Sequence, residues 1–148
     1  MTELIHDPLF GDIAKAATYW EVDVPAGAER TIHFVLDAEF PRRPIVGLLE
    51  YARRVYSEIR VSDEPFHQFI VDELLETVNE DRYGMFGDDE PLDEGAFLAS
   101  LFPPKVYIQH DQNGSPYARL VYAADFLSGE WIVIELDSEL NKIGVHIE

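Results

Sequence analysis

Apolar and polar residues alternate toward both ends of this chain and recur at helical spacing through its middle. In residues 18–24, Trp20, Val22 and Val24 share a face opposite Tyr19, Glu21 and Asp23, the period of a strand with one buried side. Residues 31–36 repeat it, with Ile32, Phe34 and Leu36 on one side. A short strand around Ile13, entered through the turn Asp7-Pro8-Leu9-Phe10-Gly11, completes a three-stranded N-terminal meander. Near the other end, residues 106–110 and 117–123 flank Asp111-Gln112-Asn113-Gly114-Ser115, where Asn113-Gly114 predicts a two-residue type I′ hairpin turn. Residues 131–136 and 143–147 flank a second turn and complete a four-strand block. The 131–136 run is apolar on nearly both faces, which predicts a central strand with Trp131 in the core.

From Pro44 the period changes. Leu48, Leu49, Ala52, Val55, Tyr56 and Ile59 fall on one helical face, with Glu50, Arg53, Arg54, Ser57 and Glu58 on the other. A second helix opens at Ser62-Asp63-Glu64-Pro65, where acids suit the positive end of the helix dipole. Its inward stripe is Phe66, Phe69, Ile70, Leu74, Leu75 and Val78, and it ends between Asn79 and Gly84. Asp93 caps a short third helix over 94–101 that buries Phe97, Leu98 and Leu101. Strands, then helices, then strands predict one α+β domain over residues 1–148. Its antiparallel sheet combines the three-strand meander with the four-strand block, and two or three helices from the middle of the chain pack on it.

Charge changes the picture from fold to partner. Eleven basic and 29 acidic residues give a net charge of −18. Such a field repels nucleic acid and anionic membranes and attracts basic proteins. It is uneven. Residues 61–94 hold twelve acids against Arg82, whereas residues 42–60 hold five arginines against Glu50 and Glu58. There are no cysteines, which excludes disulfides, thiolate metal sites and a cysteine nucleophile, and fits a cytoplasmic protein. The first twelve residues lack the apolar stretch of a signal peptide, and no apolar run is long enough for a membrane span.

No catalytic signature stands out. Glycine-rich phosphate loops and G-x-S-x-G are absent. His6, His33, His67, His110 and His146 show no metal-ligand spacing, so a metal site requires the fold to bring His33, His110 and His146 together. The acidic loop Asp88, Asp89, Glu90, Asp93, Glu94 is not an EF-hand and is interrupted by Pro91. No cofactor is expected. Trp20 reads as core or as an interface anchor.

Asp7-Pro8-Leu9-Phe10-Gly11, Trp20, and residues 129–137 through Ile147-Glu148 together resemble a loose group of small acidic bacterial domains. Some of these are proposed to be immunity proteins of polymorphic toxin systems. Relatives often carry a histidine near the position of Glu130-Trp131. The resemblance implies a non-enzymatic binding protein, with a basic toxin as an immunity-type partner, and assigns no catalytic residue. The acidic field points to Asp72, Glu73, Glu76 and Glu80 on the outer face of the second helix, extended by Asp88, Asp89 and Glu90, as partner-binding residues. The exposed sheet face around Tyr19, Glu21 and Tyr107 is the next candidate. The alternatives are a small-molecule or metal-binding enzyme with a fold-assembled site, or a homodimeric accessory domain.

Overall fold

A computed structural model describes residues 4–16, 19–25, 30–37, 45–61, 64–86, 93–99, 101, 104–124 and 130–148. The strands are β1 Leu4–Asp7, β2 Gly11–Ala16, β3 Tyr19–Pro25, β4 Thr31–Leu36, β5 Lys105–His110, β6 Pro116–Tyr122, β7 Ile132–Leu136 and β8 Lys142–Ile147. Between β4 and β5 run α1 Ile45–Val61, α2 Glu64–Phe86 and α3 Glu94–Ala99. The class is α+β, and the eight strands form one sheet in sequence order. Every neighbouring pair is antiparallel except β4 and β5, which run parallel because the helices carry the chain back across the sheet.

The N-terminal meander has four strands, not three. Leu4–Asp7 pairs with β2; four residues ahead of a turn are too few to show an alternation. The 111–115 turn also differs from the expected type I′. Gly114 alone takes a positive φ, of 83°, and Asp111 closes a three-residue loop by accepting from the Gly114 amide while its own amide donates to Ser115. The Asp111 carboxylate accepts from the Asn113 and Ser115 amides, and this side-chain cap selects the longer loop. Asp137 builds the same turn between β7 and β8, accepting from the amides of Glu139 and Asn141. There the left-handed position is held by Leu140, at φ 66°. For a branched side chain this conformation costs about 1–2 kcal/mol.

Trp131 is not core. It precedes β7, is 44% exposed, and exchanges backbone hydrogen bonds with Glu148 at 2.8 and 2.9 Å. Strand β7 is internal but next to the edge, with only β8 beyond it. Its apolar outer position, Val133, is buried between Val121 and His146 of the neighbouring strands.

The core lies between one sheet face and the helices. Ile32, Phe34, Leu36, Val106, Ile108, Leu120, Ile132 and Ile134 meet Leu48, Ala52, Val55 and Ile59 of α1 and Ile70 and Leu74 of α2. Helix α1 packs across β4, β5 and β6, α2 packs on β7 and β8, and α3 packs on α2. Asp93 caps α3, its carboxylate accepting from the Ala96 amide at 2.7 Å. No helix among the described residues is long and apolar enough to cross a membrane.

The sheet is strongly curved around α1. Arg53 binds Asp7 at the end of β1, while the adjacent Arg54 donates to the Ser138 carbonyl just past β7, at 3.1 Å. A flat sheet would separate β1 from β7 by roughly 29 Å, six strand spacings. Two side chains from adjacent α-carbons, ~3.8 Å apart, cannot span that. Tyr51 and Tyr56 repeat the clamp, donating to the carbonyls of Asp137 at 2.6 Å and Pro25 at 2.5 Å. Burial pushes the Tyr51 phenol far above its ordinary pKa, with the Asp137 charge adding to the shift, so it stays a donor. Helix α1 thus fills the concave face, and among the described residues no helix packs on the convex one.

Candidate functional site

Two surfaces carry chemistry, and strand parity decides which side chains reach the first. On β3, β4 and β5 the residues between the buried ones point away from the helices: Tyr19, Glu21 and Asp23, then His33 and Val35, then Lys105, Tyr107 and Gln109. Register sets them in rows. Glu21, Val35, Tyr107, Arg119 and Glu135 lie side by side across five strands. Asp23, His33, Lys105, Val121, Val133 and His146 form the next row, across six.

A shallow cavity of about 450 Å³ opens in this face between Tyr19, Glu21, His33, Lys105, Tyr107 and Gln109. His33 sits between two carboxylates, with Nδ1 2.6 Å from Asp23 Oδ1 and Nε2 3.3 Å from Glu21 Oε2. Tyr117 extends the surface and donates to Gln109 at 2.7 Å. At its far side Arg119 reaches both carboxylate oxygens of Glu148 at 2.6 Å, and His146 Nε2 lies 2.9 Å from the same carboxylate. The hydrogen bonds from His146 and Arg119 hold Glu148 below the usual carboxylate range. Tyrosine rings give contact area at low entropic cost, and carboxylates between them attract cations.

The second surface is the outer side of α2. Asp72, Glu73, Glu76 and Glu80 are all exposed there, as the helical period requires, and Gln68 donates to Asp72 at 2.8 Å. Asp88, Asp89 and Glu90 lie outside the described residues.

The three strand histidines do not converge. His110 is buried and shares the helix-facing side of β5 with Val106 and Ile108, whereas His33 and His146 belong to the opposite face. Three strands, β5, β6 and β7, lie between those two. Among the described residues no group of three or more histidines and acids is placed to hold a metal. Trp20 packs its ring against the core, with the Lys15 ammonium 5.7 Å above it. The alternation of 18–24 already separated Tyr19 and Glu21 from the buried stripe. The arrival of Lys105 beside His33 depends on the parallel β4–β5 pairing, which no local pattern encodes.

No family model, curated protein or solved structure matches this chain.

Proposed function

We propose that this chain is a non-enzymatic binding domain of the immunity type, which docks a basic protein such as a toxin on the convex face of its sheet. The observation that carries this reading is a strand face that no helix of the described residues covers, with Tyr19, Tyr107, Tyr117 and Trp131 set among Glu21, Asp23, Asp37 and Glu135. Charge complementarity names the occupant. The face carries more carboxylates than cations, in a chain of net charge −18. The acids of α2 lie on the other layer and serve as a source of long-range attraction, which speeds encounter at low salt.

The two roles separate experimentally. A partner is captured from native lysate at low salt, purified and measured against variants. Tyr19→Ala with Tyr107→Ala is expected to accelerate dissociation. Asp72→Lys with Glu76→Lys and Glu80→Lys is expected to slow association and flatten its salt dependence without unfolding the protein. A partner that binds the tyrosine double variant as tightly as the parent would overturn the sheet-face assignment. One that binds the charge-reversed variant equally fast would remove α2.

A further inference from the structure

The basic segment at 42–60 has no part in that reading, and its structural context differs from the rest of the molecule. Between α1, the first turn of α2 and the β7–β8 turn lies a second cavity of about 540 Å³, within the ~300–1,000 Å³ typical of small-molecule sites. Three of the eight lysines and arginines whose side chains are described, Arg53, Arg54 and Lys142, line it. Its floor is apolar, made by Val55, Phe66, Leu136 and Leu140.

We propose that this cavity binds a small aliphatic monocarboxylate. Arg54 uses one N–H on the Ser138 carbonyl, leaving further donors of its five-donor guanidinium for a ligand. Lys142 holds its ammonium 5.1 Å above the Phe66 ring, at the border between cationic rim and apolar floor. A carboxylate head placed there meets both cations while its chain lies on Phe66 and Leu140. Glu58 and Glu139 also line the rim. Arg53 is held by the Asp7 carboxylate, so Arg54 and Lys142 are the cations left to a ligand; one carboxylate head can bridge them, and the two acids on the same rim disfavour a polyanion.

Leu140 supplies the independent argument. In the equivalent turn the left-handed position is Gly114, where the backbone conformation is unstrained. The β7–β8 turn places leucine there instead, and that side chain both packs against the core and lines the cavity. A residue held in an unfavourable conformation at a cavity wall points to a role for its side chain.

Octanoate is the probe, followed by amide chemical shifts on the full chain, with octanol and inorganic phosphate as comparison ligands. Saturable shifts centred on Ser57, Phe66 and Leu140 are expected with octanoate. Arg54→Gln with Lys142→Gln should weaken it about tenfold or more, since both charge-assisted contacts are lost. Leu140→Gly should weaken binding severalfold while the thermal melt shows the protein still folded. Three results would each overturn the proposal: no saturable shifts at these residues, octanol binding as tightly as octanoate, or phosphate alone reproducing the effect.

Discussion

Arg53 donates from Nε to the Asp7 carboxylate at 2.9 Å, across 46 positions of sequence. Asp7 is fully enclosed, with a side-chain exposure of 0%, while Arg53 is 38% exposed. The same carboxylate accepts from the amides of Leu9 and Phe10. One side chain therefore shapes the β1–β2 turn and ties it to α1. Phe10, delivered by that turn, packs against Phe34 and Tyr56 with ring centroids 5.2 and 5.3 Å away.

Asp7→Ala removes the turn cap and leaves Arg53 without its partner. The expected loss is about 2–3 kcal/mol, between the ~0–1 of an exposed ion pair and the ~3–5 of a buried one. Urea melts measure it, and a loss under about 0.5 kcal/mol, as for an ordinary surface change, would remove the clamp.

The same residue sets an acid response. Burial opposes ionisation of Asp7, but the Arg53 and backbone hydrogen bonds outweigh it and lower its pKa. The folded chain thus holds this proton less tightly than the unfolded one. The contribution is complete above the unfolded value of about 4 and is lost as pH falls through the lower folded value. Stability measured in steps below pH ~4 should fall less steeply in Asp7→Asn than in the parent.

Trp131→Ala is expected to cost less than about 1 kcal/mol, since the ring is half-exposed beyond the end of β7. Phe34→Ala, at a fully buried ring, should cost about 3–5 kcal/mol. Equal losses in denaturant melts would contradict this contrast.

Gly11→Ala tests backbone conformation alone. Gly11 has φ 79°, and a methyl group built there meets nothing within 4 Å. The expected cost of about 1–2 kcal/mol is the left-handed penalty without a steric clash. An unchanged melting temperature would show that the turn relaxes.

The helices and most strands were legible because each writes its buried stripe into local sequence. Phe34, Leu48, Ile70 and Phe97 fell on the sides that are buried. Trp131 misled because an apolar run shows that residues tolerate burial, and strand position decides whether they receive it. Asp7-Pro8-Leu9-Phe10-Gly11 read as a turn, but the Arg53 contact was invisible, since nothing local specifies a partner 46 positions away. The acidic face of α2 followed from helical period. The convex-face cavity was half legible, because Tyr19, Glu21 and Tyr107 declared their faces while His33 and Lys105 met only through β4 and β5.

That parallel seam has a consequence during synthesis. Six of the seven neighbouring strand pairs are joined by a short connection, but β4 also waits for β5, with Leu36 opposite Ile108. While the ribosome makes the roughly seventy residues between them, the far edge of β4 stands bare, offering Ile32, Phe34 and Leu36 beside unsatisfied amides and carbonyls. Exposed edges of this kind recruit foreign strands. Until β5 emerges, a nascent chain is open to pairing with its neighbours on the same polysome, and a holdase that shields β4 at that stage would raise the yield of folded protein.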